Sequence, residues 1–347
     1  MESEIFIVTL AILSIALLWW GFKMLPNERW QIMATIPVQK IDSERWDGIN
    51  LTYYGVFSAN AYLVSMVMVF ILFGAININI RATFVLILIM MIFCVPMARI
   101  LAMVVEKKAF TRTVGGAVFV GIFIAPLAIL VINTMMGPAV FIPYMPAMAA
   151  LAISYSFGEG IGRLACISFG CCYGKRLSEC TPFLQMLFRK YNFIFLGRTK
   201  KIAYESGMEG EQVFPIQAIT SGLYVSTGII CTYLFLNSRY AVSFLISILV
   251  TQGWRSVSEI FRADYRGQGK VSVYQIMSII AVMYSLILWN WLPDSRIIVN
   301  IMDGVITLWQ AETIIFLLFL WVGIFLHTGC SKVTGSIVSF HVHADRI

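Results

Sequence analysis

Apolar and polar positions alternate along this chain in long blocks: hydrophobic runs separated by shorter polar segments. The runs fall at about residues 5–22, 53–76, 82–104, 114–135, 145–168, 213–236, 240–260, 272–292 and 312–327. Each approaches the roughly 20 residues that an α-helix needs to cross a bilayer's hydrocarbon core. The pattern predicts an all-α, polytopic membrane protein with nine transmembrane helices. Two longer polar stretches interrupt it, at 23–51 and 169–212, and the second holds the basic cluster Arg198, Lys200 and Lys201. With no internal repeat or low-complexity tract, one polytopic domain is the simplest organisation.

Composition supports this reading. Hydrophobic residues make up 59% of the chain and charged residues 12%, where a soluble domain carries roughly 25% charge. Glu2 and Glu4 replace a basic start and no small-residue cleavage site follows Trp20, so the first run is expected to be a retained helix. The net charge of +7 is spread along the chain rather than gathered in one tract. That distribution favours anionic lipid and argues against nucleic acid. The seven cysteines lie among apolar neighbours and show no disulfide framework. With nine helices, the loops at 23–51, 105–113, 169–212 and 261–271 share a side with the C-terminus. That side carries 19 Lys and Arg residues against 3 on the other, which taken alone makes it cytoplasmic.

Charges inside the apolar runs are the candidate chemistry, because an arginine at the bilayer centre costs about 2.5–3.5 kcal/mol on insertion scales. Arg163 stands in GEGIGRLACISFGCCYGK, and Arg255, Glu259 and Arg262 stand in GWRSVSEIFRADYRG. Positions i, i+4 and i+7 would share one helical face, where Glu259 can hold one arginine and leave the other for a phosphate. The bland alternative is snorkelling from helix ends. Around Arg163, Gly158, Gly160, Gly162, Gly170 and Gly174 imply close backbone approach or a broken helix lining a cavity. Cys166, Cys171, Cys172 and Cys180 invite a metal reading, but adjacent cysteines do not match paired zinc spacing, so packed thiols and no metal are expected. His327, His341 and His343 all lie near the C-terminus, which leaves no histidine in the helical body as general base.

Taken together, GRLACISFGCCYGK at 162–175, LTYYGVF at 51–57, FPIQAITSGL at 214–223, the Arg255, Glu259, Arg262 pattern and SVYQIMSII at 272–280 resemble, in order, the prolipoprotein diacylglyceryl transferase family. The resemblance implies a seven-helix core over 52–292. An extra N-terminal helix and connector would occupy 1–51, and an extra helix and tail 293–347. It implies transfer of a diacylglyceryl group from phosphatidylglycerol to the cysteine thiol of a lipoprotein precursor, without a cofactor, in a bacterial inner membrane with a periplasmic active face. That orientation conflicts with the charge count. Carried over by motif, Arg163, Arg255 and Glu259 would be catalytic, with Glu259 orienting Arg255. Tyr54, Gly115, Gly116, Cys166, Gly170, Cys171, Gly174, Gln217 and Arg262 would bind substrate. Two departures stand out. The family's His-Gly-Gly histidine falls on Val114 or Val120, and the signature loop's asparagine and glutamate positions hold Cys166 and Cys171. A non-protein acceptor for the same lipid donor, or lipid binding without catalysis, therefore stays open.

Overall fold

The computed structural model describes residues 1–106, 114–137, 140–264, 271–294 and 297–347. Each predicted run forms a helix: α1 (Glu2–Met24), α2 (Tyr53–Ala75), α3 (Ile80–Glu106), α4 (Val114–Met135) and α5 (Tyr144–Phe169). After two short helices, α6 (Pro182–Phe188) and α7 (Lys201–Ser206), come α8 (Ile216–Leu236), α9 (Tyr240–Ser258) and α10 (Val273–Trp291). The chain closes through a short α11 (Ile301–Leu308) and a long α12 (Ala311–Gly329). Among the described residues, seven of these are long and apolar enough to cross a membrane. The long helices that fall short on composition, α5 and α9, are the two carrying Arg163 and Arg255. The chain is a multi-pass membrane protein.

Helix α5 is central, packed against α2, α8 and α9. Small residues allow that approach, since apolar helices in lipid gain by packing rather than by leaving water. A Cβ on Gly158 would press on Ser65 of α2, and one on Gly160 on Val225 and Tyr224 of α8. Of the two expectations for this glycine run, close approach holds and a break does not, because α5 is continuous. Polar cross-links fix the neighbours: Ser221 Oγ donates to the Gly160 carbonyl at 2.6 Å, and Tyr224 Oη to the Thr251 carbonyl at 2.6 Å.

A small sheet adds to the helical expectation. The polar connector forms β1 (Ile32–Lys40) and β2 (Arg45–Thr52), and the C-terminal tail forms β5 (Cys330–Ser339). They make an antiparallel sheet in the order β1-β2-β5. A two-stranded pair, β3 (Phe193–Ile194) with β4 (Gln212–Val213), lies in the long loop. The terminal helices pack on the core rather than stand apart: Gly55 of α2 meets the Gly329 backbone of α12, and Trp321 donates to Asn60 at 2.8 Å.

One end of the bundle gathers the basic segments. Gln31 Nε2 donates to the Thr199 carbonyl at 2.6 Å, joining the first polar stretch to the long loop. Lys200 Nζ donates to the carbonyls of Leu25 and Ser168 at 3.1 and 2.6 Å. It thereby sits at the C-terminal ends of α1 and α5, where the helix dipole favours a cation. The loop at 107–113, residues 265–270 of the loop at 261–271, and Arg296, all part of the charge count, lie outside the described residues.

Candidate functional site

A narrow cleft opens at this same end, lined by residues of α5, α8, α9 and the loops that follow α5 and α9. Arg163, Cys172, Gln217, Arg255, Glu259 and Arg262 form its polar lining, with Ile216, Thr220, Tyr224 and Ser258. Its enclosed volume is about 10 Å³, room for about one water, so a headgroup must enter by its open mouth. The three arginines predicted from distant parts of the sequence thus converge.

Their partners differ from expectation. Arg163 is paired with Glu159, one helical turn back on α5, and the carboxylate is almost fully buried. The GEGIGR spacing already places Glu159 and Arg163 at i, i+4 on one helical face. Helix α9 stops at Ser258, and Glu259–Phe261 form a 3-10 turn. Arg262 is extended, with φ −82° and ψ 146°. Arg255, Glu259 and Arg262 therefore do not share one α-helical face. Asp264 takes both arms of the Arg262 fork, at 2.9 and 2.8 Å. Glu259 reaches Arg262 at 4.0 Å, so its ion pair is with that arginine and not with Arg255.

Arg255 is the arginine of the cleft with no ion pair among the described residues. It is 9% exposed, and its guanidinium stands 5.7 Å from the Tyr274 ring centroid. Gly115 of α4 provides its space: a Cβ there would overlap the guanidinium. Gly116 is buried in the same turn, while Val114, at one alignment's histidine position, is 47% exposed. Two buried polar atoms of the lining, Arg163 Nε and Gln217 Oε1, have no hydrogen-bond partner among the described residues.

The loop residues shape the cleft from behind. Gly170 is left-handed, with φ +70°, a conformation that glycine adopts without a Cβ penalty. Gly174 pairs with Arg262 in an isolated β-bridge and lies against the Phe214 carbonyl. Gln217 Nε2 donates to the Cys171 carbonyl at 3.1 Å. Tyr54 is off the lining, its ring edge-on to Phe169 with centroids 5.6 Å apart. Cys166 and Cys171 also stand behind the wall, and Cys172 is the cysteine that faces the cleft.

A family model for prolipoprotein diacylglyceryl transferase matches residues 45–291, most of the chain and the whole of this site. The chain belongs to the prolipoprotein diacylglyceryl transferase family. No curated protein matches it. The match runs from β2 to the end of α10, so this transferase family member carries α1, β1, α11, α12 and β5 outside the matched region. The family identity makes it a membrane transferase of lipoprotein biosynthesis.

Proposed function

We propose that the cleft receives the headgroup of phosphatidylglycerol and that its diacylglyceryl group passes there to the cysteine thiol of a lipoprotein precursor. The sulfur bonds to the glycerol carbon, the carbon–oxygen bond to phosphate breaks, and glycerol phosphate leaves. The thiol proton leaves with the phosphate or to water. The observation that carries this reading is Arg255, a buried guanidinium with no ion pair among the described residues, while Glu159 and Asp264 neutralise its neighbours. Such a charge is costly in apolar surroundings until an anion meets it. A group that holds the departing phosphate more strongly than the bound ester speeds the reaction.

Arg163 Nε would donate to a phosphate oxygen, and Gln217 Oε1 would accept from a glycerol hydroxyl. Arg262, clamped by Asp264, anchors the wall rather than binding the anion. The periplasmic face of a bacterial inner membrane fits as the meeting place of precursor and lipid. The basic residues at this end would then serve the lipid rather than report the cytoplasm. Val114 favours a second reading. With no histidine lining the cleft among the described residues, a non-protein acceptor for the same donor accounts for the lost proton-transfer group. Purified protein given labelled phosphatidylglycerol and a lipobox peptide should yield labelled peptide, and Arg163→Ala or Arg255→Ala should abolish it. Unmodified peptide with wild-type enzyme, alongside label on another acceptor, sinks the protein-acceptor reading.

A further inference from the structure

The tip of α5 gathers a second set of reactive groups that the transfer chemistry leaves unused. After Phe169 the left-handed Gly170 turns the chain back over the helix's last turn, and the Cys171 amide donates to the Cys166 carbonyl at 3.0 Å. Cys172 also has a positive φ, +55°, and bends the chain again. Side chains five and six positions apart on a continuous helix point to different sides. Here the turn collects them: the sulfurs of Cys166, Cys171 and Cys172 all lie within 4.8 Å of one another.

The trio is held from outside. Ile202 N–H donates to the Gly170 carbonyl at 3.0 Å, and Gln217 holds the Cys171 carbonyl. None of the three is in a disulfide. Arg163 lies within electrostatic reach of Cys166 and Cys172, and Lys201 of Cys171 and Cys172. Each cation also has a carboxylate partner, Glu159 for Arg163 and Glu205 for Lys201.

The geometry points to a binding site for a soft, thiophilic metal ion held by these three thiolates in three-coordinate form. Bonds of about 2.3 Å to sulfur place the corners of a trigonal plane about 4 Å apart. The sulfurs need draw in by no more than about 1 Å from their present spacing. Three thiolates select Cu(I) over hard cations. Adjacent cysteines unsuited to a tetrahedral zinc knuckle suit this trigonal arrangement. Binding exchanges up to three thiol protons, released to solvent, for one ion, and no oxidation state changes.

The site shares Cys172 with the lining of the cleft, and its test measures metal rather than turnover, so its failure and that of the transfer reading are distinguishable. Full-length protein in detergent, reduced and anaerobic, is titrated with Cu(I) against a chromogenic Cu(I) chelator. One ion per chain should be retained, with sulfur-only neighbours by X-ray absorption. A variant with Cys94, Cys180, Cys231 and Cys330 changed to serine should keep it. Cys166→Ser, Cys171→Ser and Cys172→Ser should each weaken retention at least tenfold, with alanine replacing any serine that prevents folding. The proposal is overturned if fully reduced wild-type protein retains no ion. Equal retention by the three single variants, or its loss in the folded fourfold variant, overturns it as well.

Discussion

Gly115 of α4 lies directly against the guanidinium of Arg255 on α9, in space that a side chain at position 115 would occupy. The obstacle is the far end of a flexible side chain rather than backbone, so Gly115→Ala should leave the fold intact. The guanidinium, however, must leave its place by Tyr274 and the cleft. Losing one positioned charge-stabilising group typically lowers turnover by about 10²–10³-fold. Transfer from phosphatidylglycerol should fall on that scale in Gly115→Ala, and Gly115→Ala/Arg255→Ala should be no worse than Arg255→Ala alone. Full activity in Gly115→Ala would show that Arg255 acts elsewhere.

Arg163 and Glu159 form a buried pair on α5, and each single loss strands a charge. Breaking such a pair from one side costs about 3–5 kcal/mol, while replacing both partners by apolar groups is often near neutral. Glu159→Gln should therefore lower the thermal stability of the detergent-solubilised protein strongly. Glu159→Leu/Arg163→Met, with both partners apolar, should recover most of the loss and remain without transfer activity. A double variant as unstable as Glu159→Gln would mean that Glu159 matters for packing and not as Arg163's counter-ion.

The apolar runs marked every long helix because hydrophobic length is a local property, readable without tertiary context. The least apolar of them, α5 and α9, are less so because the site's polar groups sit on them. Partner choice was harder to read. Glu159 stood at a legible i, i+4 spacing from Arg163, but the Asp264 clamp on Arg262 depends on α9 ending at Ser258, which no capping residue announces. The sheet was hidden for another reason. Strand β5 finds β2 across nearly the whole chain, and the buried positions of β2 are Gly48, Asn50 and Thr52 while Ile49 is exposed, so no apolar alternation marks the strand. Cys166, Cys171 and Cys172 invited a metal reading that their spacing then argued against, since positions five and six residues apart converge only when the helix ends between them, as it does at Gly170.

Gly174 tests the wall of the cleft. A Cβ there would overlap the Phe214 carbonyl, which is backbone and cannot swing aside. Gly174→Ala must shift the loop after α5 or the entry to α8, and overpacking of this kind costs about 1–3 kcal/mol. The bridge to Arg262 would open and Gln217 would move with its helix. The expected result is a lower melting temperature together with weaker phosphatidylglycerol binding, whereas Gly222→Ala, with open space around it, should change neither. Unaltered lipid binding in Gly174→Ala would place the headgroup away from this loop.

Lys200 offers a test by pH. Its side chain is fully buried between the ends of α1 and α5. Burial pushes its ammonium down to about 7, against an opposing pull from Glu28. The unfolded chain, with an ordinary lysine near pKa ~10.4, then binds the proton more tightly than the folded one across the interval between these values. Stability rises with pH wherever the unfolded state holds more protons. Wild-type protein should therefore gain stability relative to Lys200→Met as the pH is raised from about 7 towards 10, with no further change in the difference below 7. Melting curves of both proteins in one detergent, across that range, make the comparison. Wild-type protein that instead loses stability relative to Lys200→Met as the pH rises would mean that the two helix-end carbonyls hold Lys200 protonated in the folded state, binding the proton more tightly than water does.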